Sequence, residues 1–310
     1  MINYTIIIPH KNIPDLLQRG LDSIPVRDDV QVIVVDDNSD VSKVDYDHFP
    51  QWKGKNYEFY LTKEGKGAGY ARNVGLEHAR GKWLVFLDAD DFLLPEASSV
   101  FDEEIDTEVD IVFFRPKVVF NDNLDLASKR GGSEYIQFVE NYLETGDEIE
   151  LRTRWHSPLS KFIKTSLVFE NNIRFEETKY SNDIWFSTLT GCKAKEVAAR
   201  DTCYYVCTER PGSLTSNFCK KEGELEIRSS AFFRAQQVVK DSGFPVDERL
   251  IARFLKRLFD GNRSLFMPYF KAALKISEQS RLGLINRVFE SHSFFSRVKR
   301  GAYVFFVSLF

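Results

Sequence analysis

Residues 81–95 read GKWLVFLDADDFLLP, and the fold turns on how they are read. From Trp83 to Leu87 the run is unbroken and apolar, and it ends in Asp88, Asp90 and Asp91. A short apolar run of this kind suits a strand buried on both faces. Three acids at its C-terminal end repel one another unless something neutralises them. Mg²⁺ and Mn²⁺ favour oxygen ligands and would do so. The plainer alternative is a solvated turn and a helix cap ahead of Pro95, and a lone D-x-D does not decide between the two.

Upstream, residues 4–9 (YTIIIP) read as a buried strand stopped by proline. Residues 12–24 read as a helix, with Pro14 near its start and Leu16, Leu17, Leu21 and Ile24 on one face. Residues 30–35 (VQVIVV) are a second buried strand ending in Asp36-Asp37-Asn38-Ser39, another acidic cluster. A third strand over 57–61, a flexible loop at 65–69 (GKGAG) and a helix over 71–79 lead into the strand at 83–87. This alternation predicts an α/β fold, a mostly parallel sheet with helices on both faces. Ligands of such sheets sit beyond the carboxyl ends of the strands, where both acidic clusters lie.

Downstream, residues 110–114 and 117–120 are expected to continue the sheet, and 121–132 to be a polar loop. Residues 131–146 contain an amphipathic helix with Ile136, Val139 and Leu143 facing inward. Helices are expected over 165–171, 182–191 and 220–242, with a strand over 203–206 and a break at Phe244-Pro245. From Arg249 onward the pattern is helical, rich in phenylalanine and basic residues.

With 43% hydrophobic and 28% charged residues among 310, the composition is that of a large globular domain plus a smaller one. The net charge of −4 hides an asymmetry: residues 249–310 carry 12 Lys or Arg against 3 Asp or Glu. Such a tail is expected to meet something anionic. Cys192, Cys203, Cys207 and Cys219 lack zinc-finger spacing and read as core thiols in a reducing compartment. The opening MINYTIIIPHKN does not read as a secretory signal.

Five blocks occur in order: IIIPHKN, VIVVDDNSD, GAGYARNVGLEHARGKWLVFLDADD, SPLSKFIKTSLVFENNIRFEETKYSNDIWF and YYVCTERPGSLTS. Together they resemble the inverting family 2 glycosyltransferases of bacterial surface-polysaccharide type, across residues 3 to 217. The resemblance implies a GT-A (Rossmann-like) catalytic domain over 1–217 and leaves 218–310 as a helical C-terminal region. It implies a nucleotide-sugar donor, UDP-linked by family habit, with Mn²⁺ or Mg²⁺ as cofactor. The acceptor it implies is a hydroxyl of a glycan or a lipid-linked oligosaccharide.

Residue by residue, the leaving diphosphate gains charge that a Lewis acid offsets. Asp90 is the first choice of direct metal ligand, with Asp88 beside it. In the family the first acid of this motif meets the ribose or a metal-bound water. Ala89 between the two acids shares the donor contact, and Asp91 is either a further ligand or the cap of the next helix. The family binds base and ribose at the end of the second strand, which gives that part to Asp36 and Asp37. Asp37 is favoured for the base, since a carboxylate accepts from a uracil N–H; the alternative for Asp36 is that it satisfies turn amides. Pro9 and His10 end the first strand, where the family contacts the nucleoside. Lys66 and Gly67 approach the donor through glycine-permitted backbone. Arg72 binds nucleotide or phosphates, with Asn73 holding the loop. Arg210 and Ser213 match the segment that folds over the diphosphate.

The family shows Glu-Asp at a helix start downstream of the metal motif, with the second acid as base. Here the pair is Asn182-Asp183. Asp183 is therefore the expected general base, the alternative being an acid favoured by the helix dipole. The absent glutamate puts its contact in question. Trp155, His156, Lys161 and Asn182 form the expected acceptor side, core packing being the alternative for Trp155.

In the tail, Phe254, Leu255 and Leu258, then Phe294, Phe295 and Val298, lie beside Arg253, Lys256, Arg257, Arg297, Lys299 and Arg300. A basic amphipathic helix with aromatics lies on an anionic membrane, so a cytoplasmic protein peripheral to the inner face of the plasma membrane is expected. The final AYVFFVSLF is too short to span a bilayer. No stacking-platform module points to nucleic acid; a helical cap or a homo-oligomer contact is the alternative.

Two rival functions remain. GKGAG resembles a dinucleotide fingerprint, but those glycines belong straight after the first strand, where none occurs before Gly20. A non-catalytic glycan-binding or scaffolding relative would have no need of Asp88, Asp90 and Asp183. UDP with Mn²⁺ is expected to stabilise the protein by about 2.7 kcal/mol at 100 times its Kd, read as a raised Tm, and NAD to leave Tm unchanged. The opposite ranking would return the chain to the oxidoreductase reading.

Overall fold

The apolar runs of the N-terminal half become the centre of a parallel sheet in this computed structural model, which describes residues 1–128, 133–210 and 223–289. Strand β1 (Tyr4–His10) leads through helix α1 (Pro14–Ser23) to β2 (Val30–Asp36), then to β3 (Tyr57–Leu61), α2 (Ala68–Glu77) and β4 (Trp83–Phe86). β1 pairs in parallel with β2 on one side and β4 on the other, and β3 extends the sheet beyond β2. Every residue of β2 and β4 is buried, which is why neither run alternates. In β1 the side chains do sort by face. Tyr4, Ile6 and Ile8 pack with Leu17 and Leu21 of α1. Ile7 packs on the other face with Leu76 of α2, as a period of two requires.

The chain continues through β5 (Phe92–Leu93), α3 (Ala97–Glu104), β6 (Ile111–Phe114), β7 (Lys117–Phe120), β8 (Asn123–Ala127), α4 (Ser133–Thr145) and α5 (Ile149–Thr153). It ends this unit with β9 (Lys161–Lys164), α6 (Thr165–Glu170), α7 (Ile184–Lys193), β10 (Val197–Arg200) and β11 (Tyr205–Glu209). The main sheet has seven strands in the order β10-β6-β9-β4-β1-β2-β3, and a second sheet has the order β5-β11-β7-β8. β9 runs antiparallel between β4 and β6, so the sheet is mixed as well as mostly parallel.

Several expectations need correction. Residues 117–120 join the second sheet, not the first, and part of the expected loop 121–132 is β8, paired antiparallel to β7. Strands β9 and β10 escaped notice because one is framed by lysines and the other is short and alanine-rich. Helix α2 starts inside the expected flexible loop. The inward stripe of α4 is Tyr135, Phe138, Val139 and Tyr142, at helical spacing. Leu143 lies one position past that stripe and is 49% exposed.

Helix α7 is tied down at its C-terminal end. Arg152 Nη1 donates to the carbonyls of Gly191 and Ala194 at 3.1 and 2.6 Å, and Nη2 donates to that of Lys195 at 3.1 Å. These are the carbonyls a helix end leaves unpaired. The approach requires glycine, since a Cβ at position 191 would lie 2.1 Å from the Arg152 carbonyl oxygen.

The chain divides into two compact units, Met1–Lys221 and Glu222–Phe310. The described part of the second comprises α8 (Glu224–Asp241), α9 (Glu248–Gly261), α10 (Arg263–Ile276) and α11 (Arg281–Phe289). Asp247 caps α9 by accepting from the Leu250 N–H at 2.9 Å. Phe254, Leu255 and Leu258, expected to face a membrane, are buried with Phe232, Phe266 and Leu284 in this unit's own core. Phe294, Phe295, Val298 and the final apolar segment lie outside the described residues. No described helix is long and apolar enough to cross a membrane. Replacing Gly191 by alanine is expected to cost roughly 1–3 kcal/mol by forcing α7 from Arg152, measured by urea unfolding; an unchanged midpoint would show that the seat is looser than its geometry.

Candidate active site

The parallel pairing of β1 and β2 sets His10 beside Asp36. The Asp36 carboxylate accepts from His10 Nδ1 at 2.6 Å, from the Ser39 N–H at 2.8 Å and hydroxyl at 2.6 Å, and from the Tyr46 hydroxyl at 3.0 Å. The Ile13 N–H donates to His10 Nε2 at 3.1 Å, so Nδ1 bears the ring hydrogen. Burial raises the Asp36 carboxyl, but the bonds from His10 and Ser39 outweigh it and hold the group below the ordinary range. Both side chains are sealed from solvent. Asp36 thus meets the alternative stated for it, accepting from the Ser39 turn amide. The side chains of His10 and Asp36 lock two strand ends, and their polar atoms are consumed doing so. Pro9 precedes them, half-buried at the same end of β1.

Asp37 turns to the glycine loop. Its carboxylate accepts from the Gly67 N–H at 2.9 and 3.0 Å and from Lys11 Nζ at 3.0 Å. Gly67 has φ +98°, a conformation open to glycine. The half-exposed Lys66 lies with Nζ 4.6 Å from the Tyr70 ring centre and 3.8 Å from Glu177. Asp37 therefore fixes the loop that launches α2.

At the end of β4, the half-buried Asp88 and Asp90 each face a guanidinium. Arg72 Nη2 donates to Asp88 Oδ1 at 2.6 Å, and Arg210 Nε donates to Asp90 Oδ2 at 2.6 Å. Ala89 between them packs into the core. Asp91 is neither exposed nor a helix cap. It accepts from the Tyr205 hydroxyl and the Thr208 N–H, both at 2.7 Å, and so ties β11 to the motif. Burial raises the Asp90 carboxyl, with the Asp88 charge adding to it and Arg210 opposing. Asp91 stands well above the ordinary range through burial and then the charges of Asp90 and Asp88. Arg19 Nη2 and the Thr208 hydroxyl both donate to the Asp90 carbonyl. Arg19, Tyr205 and Thr208 escaped the sequence reading. Tyr205 and Thr208 lie inside the quoted YYVCTERPGSLTS block, whereas Arg19 left no local signal.

Among the described residues no group of three or more His, Cys, Asp or Glu forms a ready metal cage. Asp88 and Asp90 do offer two hard, mutually repelling oxygen groups. That donor set fits Mg²⁺ or Mn²⁺, which are held by one or two carboxylates and completed by substrate phosphates.

The same Arg72 reaches a third element. Its Nη1 donates to Asn182 Oδ1 at 2.9 Å. Asp183 follows at the N-cap position of α7, where its side chain makes no capping bond. Nearby, Lys161 is only 1% exposed and donates from Nζ to the Trp155 carbonyl at 3.1 Å. Burial pushes its amine well below the ordinary 10.5, against the pull of the Asp183 charge. Trp155 is buried and stacked on Tyr135 with centroids 4.4 Å apart. Trp155 thus meets the core-packing alternative, and Lys161, equally buried, presents no exposed face to an acceptor, contrary to expectation. His156 beside them is half-buried. Ser213 lies outside the described residues.

The family model described as Glycosyl transferase family 2 matches residues 5–163. The poly(ribitol-phosphate) beta-N-acetylglucosaminyltransferase TarS of Staphylococcus aureus is 25% identical over 293 residues, covering 90% of this chain and 48% of that one. The poly(ribitol-phosphate) beta-glucosyltransferase of Bacillus spizizenii is 27% identical over 283 residues, covering 84% and 40%. The chain thus spans about half the length of the curated relatives it matches. The crystal structure of S. aureus TarS 1-349 in complex with UDP-GlcNAc shares the fold, with a TM-score of 0.58 at 21% identity over 93% of this chain and 80% of that one.

The buried lysine makes a pH prediction. Its folded pKa is lowered, so between that value and 10.5 the unfolded chain holds the extra proton. Stability gains a rising contribution with pH across that window. Urea unfolding of Lys161→Met is expected to lack this rise, and an identical pH dependence in variant and wild type would contradict the lowered pKa.

Proposed function

Because the chain belongs to glycosyl transferase family 2, we propose that it moves a sugar from a UDP-linked donor to a hydroxyl of a bacterial surface glycopolymer, with inversion and with Mn²⁺ or Mg²⁺ bound. One observation carries this reading beyond the family. Arg72 is bonded at once to Asp88 of the acidic motif and to Asn182, the neighbour of Asp183. This supports reading the acids suited to a diphosphate and the acid suited to a hydroxyl as parts of one site.

In this reading the nucleoside lies beyond the ends of β1 and β2, against Pro9 and the Asp37–Gly67 loop. Arg210 balances diphosphate charge, as a planar donor to phosphate oxygens does. Asp90 and Asp88 would hold the metal, which supplies Lewis-acid stabilisation of the leaving diphosphate. Asp183 accepts the proton of the acceptor hydroxyl as its oxygen attacks the anomeric carbon. The bond from that carbon to the diphosphate breaks on the opposite face. The acceptor class rests on the relatives named for poly(ribitol phosphate). The second unit, with Arg253 exposed on α9, is assigned to an anionic surface such as a membrane.

Asp183→Asn is expected to lower transfer about 10²–10⁴-fold, the usual share of a general base, with UDP affinity unchanged by calorimetry. Asp90→Asn is expected to abolish the Mn²⁺ dependence of UDP binding. An Asp183→Asn protein transferring at the wild-type rate would contradict the assignment, and a wild-type protein that binds UDP-sugars but neither transfers nor hydrolyses them would favour the scaffold.

A further inference from the structure

We infer that Arg72 is a positioning residue that couples the donor-side acids to the general base, acting through Asn182. The inference rests on the reading of Asp183 as that base. Its ground is how residues 175–182 are seated on α2. Asn73 grips the backbone of Phe175 from both sides, donating from Nδ2 to its carbonyl at 3.0 Å and accepting from its N–H at 2.8 Å. Gly69 lets the two segments touch, since a Cβ there would lie 2.1 Å from the Glu176 carbonyl oxygen and 2.9 Å from Asn182 Cβ. The loop closes on itself where the Glu176 N–H donates to the Asn182 carbonyl at 3.2 Å. Ser181, just before, sits at φ +54°, a conformation a non-glycine residue holds only when its surroundings impose it.

Arg72 completes this seat. Its side chain is 6% exposed and lies 5.3 Å from the Phe175 ring centre. Only a planar fork can reach Asp88 with one nitrogen and Asn182 with the other, and a lysine offers a single point charge. The choice of an amide at 182 also has a consequence. Asn182 accepts the hydrogen bond without adding negative charge, so Asp88 has no anionic rival at 182 for the guanidinium. One cation thus fixes the loop bearing Asp183 while remaining electrostatically committed to the acid beside the diphosphate. Sub-ångström placement of a base is worth large rate factors, and this contact supplies it from across the site.

The test uses the full chain and two readouts. UDP release from UDP-N-acetylglucosamine with Mn²⁺ and a poly(ribitol phosphate) acceptor reports turnover. Amide hydrogen exchange over residues 176–183 in the UDP–Mn²⁺ complex reports loop order without depending on the choice of sugar. Asn182→Ala is expected to lower kcat about tenfold or more, leave UDP affinity within about twofold, and speed exchange over 176–183. Asn182→Asp keeps an acceptor oxygen but adds an anionic rival to Asp88, so it is expected to keep exchange over 176–183 slow without restoring kcat to the wild-type value. Arg72→Lys combined with Asn182→Ala is expected to be no worse than Arg72→Lys alone, because both remove one interaction. Independent, multiplicative losses would overturn the coupling. So would wild-type kcat and exchange in Asn182→Ala alongside an inactive Asp183→Asn, whereas an active Asp183→Asn would overturn the base assignment instead.

Discussion

Carboxylates crowded at the carboxyl end of one sheet repel each other, and the surrounding structure is built to hold them there. Asp36, Asp37, Asp88, Asp90 and Asp91 all sit where strands β2 and β4 stop. Two unit charges 4 Å apart interact by about 4 kcal/mol in a partly screened setting, which is comparable to the stability of a domain. Each acid therefore has its own answer: His10 for Asp36, Lys11 for Asp37, Arg72 for Asp88, Arg210 for Asp90, and Tyr205 with Thr208 for Asp91.

The answers differ in kind, and the difference separates scaffold from site. Asp36 and Asp91 are buried and bonded to short, rigid partners, so they join elements: β1 to β2, and β4 to β11. Asp88 and Asp90 keep part of their surface open and are met by long arginine side chains. A guanidinium can exchange one anionic partner for another at low cost, since carboxylate and phosphate present it with the same planar geometry. Such partners suit the diphosphate and cation proposed for this site. Away from solvent, Lys161, Trp155 and Phe113 pack on one another, in the same core as Phe186 of α7.

Much of this was legible in the residues. The runs at 4–9, 30–35 and 83–87 announce buried parallel strands because they lack alternation. The order of the blocks carried the family. What local pattern cannot carry is pairing at a distance. Nothing near Asp36 says that its oxygens are taken by His10, twenty-six residues upstream, and nothing near Trp155 says that Tyr135 covers it. Lys161 was assigned to the acceptor side by resemblance alone, and local pattern does not show that its strand lies between β4 and β6. The link from Arg72 to Asn182 spans 110 residues and exists only in three dimensions.

That link joins two separated stretches, and paramagnetic relaxation tests most directly the proposal that they form one site. With UDP and Mn²⁺ bound, the backbone amide of Asp183 should broaden strongly in the NMR spectrum, and Asp90→Asn should restore it. An Asp183 resonance that stays sharp in the Mn²⁺–UDP complex, while amides near Asp88 and Asp90 vanish, would contradict the account.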